Sequence, residues 1–154
     1  MGYSLRSAAN SDRSSIEELV FGILTEYGLK SDPESTDADL IDIKAEYFDK
    51  GGSFEVLVDD NDKIVGSVGV YSINQTTCEI RKMYLASSLR GQGLGHKLIK
   101  HALSKAKELG FSRVELETAS VLKEAISLYE RYGFKRFEGS HLSSRCNASY
   151  YLEI

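Results

Sequence analysis
The chain has 154 residues, 42% of them hydrophobic and 27% charged, with a formal net charge of -4. That length fits one domain spanning residues 1–154 with a sizeable core, and the acidic balance argues against nucleic acid or an anionic membrane as the main partner. Cys78 and Cys146 follow no CxxC spacing and no apolar run approaches membrane-spanning length, so neither a zinc site nor a spanning helix is expected, and the chain reads as cytoplasmic.

Tyr3 to Arg6 reads as a short first strand. Ile16, Leu19, Val20, Ile23, Leu24 and Tyr27 then form a helical stripe, with Ser11 or Asp12 as its cap and Gly28 as its stop. Thr36 followed by Asp39 resembles the start of a second helix carrying Leu40, Ile43 and Tyr47 on one face, ended by Gly51-Gly52. Phe54, Val56 and Val58 alternate, a polar turn follows over 59–62, and Ile64 to Tyr71 returns as the other arm of a hairpin. Gly66 and Gly69 within that arm allow close approach by another group.

A third strand runs from Thr77 to Leu85, and its parity breaks. Cys78 and Ile80 share one face, whereas Met83 and Leu85 share the other. An extra residue at Arg81–Lys82, a β-bulge, accounts for the break; a strand buried on both faces would hide the parity equally well. Further on, Leu94 to Leu109 repeats as an amphipathic helix, 112–118 alternates as a strand, and Leu122 to Tyr132 carries another helical stripe. A strand from Phe134, a polar loop over 138–146 and a last strand from Ala148 to Ile154 complete the order βααβββαβαββ. This is an α/β fold with a mixed, mostly antiparallel sheet flanked by helices.

Between the third strand and the long helix lies Arg90-Gly91-Gln92-Gly93-Leu94-Gly95. A glycine turn at a helix N-terminus presents unpaired N–H groups at the positive end of the dipole, an arrangement suited to a phosphate. The spacing is not G-x-G-x-x-G, and no Lys-Ser/Thr pair follows, so neither a dinucleotide fingerprint nor a nucleotide triphosphate loop is matched. On its own the turn also fits a merely tight strand-to-helix connection.

Two motifs together are more specific. Arg90-x-x-Gly93-x-Gly95, followed by helix, strand and a helix ending Ala125-x-x-Leu128-Tyr129-x-x-x-Gly133-Phe134, resembles the GNAT acetyltransferase superfamily. The resemblance implies a GNAT fold with a splayed, bulged central strand, and acetyl-CoA as acyl donor. Backbone N–H groups of Arg90, Gly91, Gln92, Gly93, Leu94 and Gly95 would hold its pyrophosphate. Met83, Tyr84 and Leu85 would pair with its pantetheine arm as though it were another strand.

The resemblance also assigns Tyr129 as the donor of a proton to the departing thiolate; from the helical stripe alone it is a packed ring with a satisfied hydroxyl. Glu79, just before the bulge, is the first candidate for the base that deprotonates the acceptor ammonium, and Glu117 the second. One position departs from the family pattern: Leu122 stands where many members carry an asparagine, so its contact is lost or supplied by Ser120 or Lys123. Tyr27, Tyr47, His141 and Arg145, with Cys146, are the acceptor-side candidates, and Arg145 could meet an acceptor carboxylate or phosphate. His96, His101 and His141 lack metal-ligand spacing, so no metal is expected.

The activity implied is acetyl transfer to the primary amine of a small molecule by direct attack in a ternary complex. A protein or peptide acceptor, and a non-catalytic acyl-CoA sensor, are the alternatives. Homodimers are common in the family, which leaves a homodimer open; neither nucleic acid nor membrane is an expected partner.

Overall fold
The computed structural model describes residues 2–139 and 145–154. Its strands are β1 (Ser4–Ser7), β2 (Ser53–Val58), β3 (Ile64–Ser72), β4 (Thr77–Leu85), β5 (Arg113–Thr118), β6 (Lys135–Phe137) and β7 (Ala148–Glu153). They form one sheet in the order β1-β2-β3-β4-β5-β7-β6. Only β4 and β5 run parallel; every other neighbouring pair is antiparallel. The helices are α1 (Arg13–Glu26), α2 (Leu94–Glu108) and α3 (Lys123–Arg131).

Two apolar cores flank the sheet. On one face Ile16, Val20 and Leu24 of α1 pack with Leu40, Ile43, Tyr47, Phe54 and Val56. On the other, Leu98, Ile99, Ala102 and Ala106 of α2 pack on Leu57, Val68, Val70, Cys78, Ile80, Val114 and Leu116. Each large side chain fully withdrawn from water stabilises the fold by about 1.5–3 kcal/mol before entropy is counted. Because both faces of β2 are covered, the polar residue in its alternation is buried as well. Glu55 is 3% exposed and holds His101 Nε2 at 3.2 Å.

The expected second helix does not form as an α-helix. In its place are a 3-10 turn, Ala38–Leu40, and a π-helical turn, Lys44–Phe48. The apolar stripe survives, since Leu40, Ile43 and Tyr47 are fully buried, but polar side chains redirect the backbone. Thr36 turns to Asp32 at 3.2 Å instead of capping, while Asp42 accepts from the Ala45 N–H at 3.0 Å and Asn10 accepts from the Lys44 N–H at 3.1 Å. Such local bonds compete with the helical ladder.

The parity break in β4 is a bulge. Ser67 faces Tyr84 and Gly69 faces Arg81, so two steps along β3 match three along β4. The extra residue brings Lys82 to φ 54°. Upstream, β4 pairs with β5 from Thr77–Arg113 to Glu79–Glu115, and there the pairing stops. From Ile80 onward the two parallel strands are splayed. The close approach at Gly69 is made by Tyr47, whose ring would lie 2.7 Å from a Cβ built there.

Candidate active site
The splay opens a cleft of about 1710 Å³. Single small-ligand pockets are roughly 300–1,000 Å³, so there is room for two substrates. At one end lie Met83, Tyr84 and Leu85, then Arg90, Gly91, Gly93 and Gly95; Tyr129 lines the same space, with Leu122 and Lys123 beside it. Glu79, Glu115 and Glu117 line the cleft from β4 and β5, and Arg145 and Cys146 from the segment before β7, close to Tyr84 and Tyr129.

The glycine turn is built for backbone, not side-chain, recognition. Gly91 and Gly93 sit at φ 82° and 81°, and a Cβ on either would meet nothing within 4 Å. The glycines are therefore needed for the left-handed backbone rather than for space. Gly93 is the N-cap of α2, so the first N–H groups of that helix have no partner within it. Gly95 brings α2 close to α3, where a Cβ would be 3.4 Å from Leu128 Cδ2.

The Arg90 guanidinium faces the other way, to Glu26 Oε2 at 2.7 Å, the Tyr27 hydroxyl at 2.9 Å and the Leu85 carbonyl at 3.2 Å. It fixes the turn to the end of α1 and β4. Exposed Gln92 and half-buried Leu94 contribute by position in the chain. These features suit a bound diphosphate and an extended arm beside Met83–Leu85: free N–H groups at a dipole end, and a strand edge that has lost its parallel neighbour.

Tyr129 is 6% exposed, with its ring 5.8 Å from that of Phe134. Burial raises its hydroxyl well above the ordinary tyrosine range, with nearby Tyr84 and Cys146 pushing the same way. A tyrosine so placed stays protonated, as a proton donor must. Burial likewise raises the carboxyl of Glu79 above 4.5, and the adjoining Arg81 only partly offsets this. Arg81 Nε donates to Glu79 Oε1 while its guanidinium carbon lies 3.6 Å above the Tyr71 ring. Glu79 faces Glu115 across the last register of the parallel pair, and Glu117 lies further along β5 on the same face.

The acceptor-side candidates divide. Tyr27 reaches the cleft through Arg90. Tyr47 does not: its ring is fully buried against Phe54 and Tyr71, and its hydroxyl donates to Asp39. His141 lies outside the described residues. Arg145 lines the cleft, but its guanidinium is held by Asp37 through contacts of 2.8 and 2.6 Å.

Asp37, Asp39 and Lys82, none of them a site candidate from the sequence, form one charge cluster with Arg145. Asp37 is fully buried and also accepts the Asp32 N–H at 2.7 Å. Burial pushes its carboxyl up, but Arg145, the Asp32 N–H and Lys82 outweigh that, leaving its pKa below 3.8. Lys82, from the bulge, stands 3.3 Å from Asp37 and 3.0 Å from Asp39. The parity break pointed to Lys82 as a backbone feature; nothing local marked its charge. Asn147 is a fourth omission. It accepts the Ser120 N–H at 2.8 Å and donates to Ser120 Oγ at 3.0 Å, tying down the loop before α3 where the usual asparagine is absent.

A bulged, splayed strand feeding a glycine turn at a helix N-terminus defines an acyltransferase-type architecture. The family model described as "Acetyltransferase (GNAT) family" matches residues 18–134. The chain is 35% identical over 138 residues to the Escherichia coli (strain K12) "uncharacterized N-acetyltransferase YjgM", covering 87% of this chain and 83% of that one. It is also 30% identical over 103 residues to human N-acetyltransferase 8B, covering 64% of this chain and 45% of that protein.

Among solved structures, a GNAT-family acetyltransferase from Staphylococcus aureus Mu50 superposes with a TM-score of 0.92 over 99% of both chains at 21% identity. A phosphinothricin acetyltransferase from Sinorhizobium meliloti, in complex with acetyl-CoA, superposes with a TM-score of 0.78 over 100% of this chain and 89% of that one, at 18% identity. The chain belongs to the GNAT acetyltransferase family. It is an acetyltransferase by descent and by fold, as its two motifs imply. Among the described residues, no helix is long and apolar enough to cross a membrane.

Proposed function
We propose that this chain carries the acetyl group of acetyl-CoA to the primary amine of a small molecule, by direct attack within a ternary complex. The observation that carries the reading is the single cleft holding Met83–Leu85, the glycine turn, Tyr129 and Glu79. The donor supplies an activated thioester. Backbone groups of Arg90–Gly95 hold the diphosphate, and the splayed edge of Met83–Leu85 orients the arm. Glu79 takes a proton from the acceptor ammonium, which has a pKa of about 10 when lysine-like. Glu117 is the alternative base. Tyr129 gives its proton to the sulfur as the thiol leaves.

The different mechanism is an acetyl group carried on Cys78 or Cys146, which would show ping-pong kinetics; Cys78 is fully buried with its thiol pushed by burial to about 12, so the thiolate needed for attack is negligible near neutrality there. The engagement of Arg145 by Asp37 also bears on the acceptor. With that guanidinium in an ion pair, an acceptor need not bring an anionic group of its own. The test is titration with acetyl-CoA followed by a free-thiol assay across small amines, amino acids and peptides. Thiol release with small amines is expected; release on peptides alone overturns the acceptor assignment, and binding without release on any amine favours a sensor.

A further inference from the structure
Lys82 is gripped at both ends. Its carbonyl accepts from Ser67 Oγ at 2.6 Å in a buried bond from β3. Its ammonium lies 3.0 Å from Asp39 and 3.3 Å from Asp37, and donates to the Thr36 carbonyl at 3.3 Å. Between these grips the backbone is left-handed, at φ 54°. Any residue with a Cβ disfavours that conformation on its own, so the flanking contacts must hold it. The cluster is closed by Arg145 on Asp37, giving two cations and two carboxylates, all largely withdrawn from water.

We propose that Lys82 is a positioning residue for the acyl donor: its ion pairs with Asp39 and Asp37 hold the β4 bulge in the turn that directs the edge of Met83–Leu85 into the cleft. The inference rests on the donor-site reading given above. Lys82 needs no contact with the donor for this, because the next three residues form the donor wall. Asp37 extends the hold to the segment before β7, since the carboxylate that steadies the bulge also fixes Arg145. The donor strand and one acceptor wall thus share an anchor.

Removing Lys82 alone strands a buried carboxylate and is strongly destabilising, so the test removes charge in balance. In the chain carrying Lys82→Gln with Asp39→Asn, the Kd and KM for acetyl-CoA should rise about tenfold, the effect of losing roughly 1.4 kcal/mol of alignment. The acceptor KM should move less than the donor KM. Ser67→Ala, which removes only the neutral grip on the carbonyl, should raise the donor KM in the same direction by a smaller factor, and it carries the test if the double variant does not fold. A merely structural role would lower the active fraction, and with it kcat, at unchanged donor KM. Wild-type donor Kd and KM in the folded variants overturn the inference. Failure of the unaltered protein to bind acetyl-CoA overturns the donor-site reading itself, a distinct result.

Discussion

The two ends of the cleft are made of different material. The end proposed for the donor is mainly backbone: two left-handed glycines, the start of α2, and a strand edge freed by the splay. The end proposed for the acceptor is side chain: Glu79 with Arg81, and Asp37 with Arg145 and Lys82. Backbone recognition needs only a conformation, which a short motif can encode. Side-chain recognition needs partners brought together by the whole fold. The first can therefore stay constant while the second is rebuilt for a different amine.

The most direct way to break this division is at the reacting centre. Tyr129→Phe should lower kcat by roughly 100-fold while leaving the Kd for acetyl-CoA unchanged in calorimetry; an undiminished kcat removes Tyr129 from the chemistry. Glu79→Gln should lower kcat/KM by about tenfold or more. A base works only when ionised, so activity should climb as pH rises through the raised pKa of Glu79. That limb should disappear in the glutamine variant, and its persistence would move the base to Glu117.

Gly93→Ala tests the donor end alone. Forcing a side chain to φ 81° costs about 1–2 kcal/mol, so the KM for acetyl-CoA should rise about tenfold while the acceptor KM holds. Equal changes in both would mean that the two ends are not separable.

Stability against acid sharpens the acceptor end. Asp37 has a folded pKa below 3.8. Its contribution to stability is present above the unfolded value and lost as pH falls through the lower folded value. Tm should drop on acidification below about pH 4, and Asp37→Asn should lower Tm near neutrality while flattening that drop. A parallel acid profile in the variant would relieve Asp37 of this role. The smallest effect on activity is expected from Tyr47→Phe. It removes the hydroxyl bonded to Asp39 and should cost about 1–3 kcal/mol of stability with both KM values unchanged; a raised acceptor KM would return Tyr47 to the acceptor site.

How much was legible in the sequence follows the same line. The bulge at Lys82 could be read because a pleat has period two and the apolar residues of β4 change phase around it. The turn from Arg90 to Gly95 could be read because glycine is the residue that left-handed backbone selects. The ion-pair cluster could not. Asp39 and Lys82 are separated by 43 residues and Asp37 and Arg145 by 108, and no local period connects them. The same cluster bears on the failed second helix, because Asp37 and Asp39, at the start expected for that helix, are buried against Lys82 and Arg145 instead. Glu55 was opaque for a related reason. Alternation assigns it to solvent, yet α2 covers that face and His101 meets it there.

The end of parallel pairing at Glu79–Glu115 has a consequence for how the molecule coexists with its neighbours in a crowded solution. A row of unsatisfied strand groups on the rim of a sheet is a template for another chain, and proteins guard such rims against aggregation. Here the freed groups lie in the interior of the seven-stranded sheet, flanked by β5 rather than open water. An unpaired edge in mid-sheet is thus set apart from the outer rims, β1 and β6, where strand-to-strand aggregation begins.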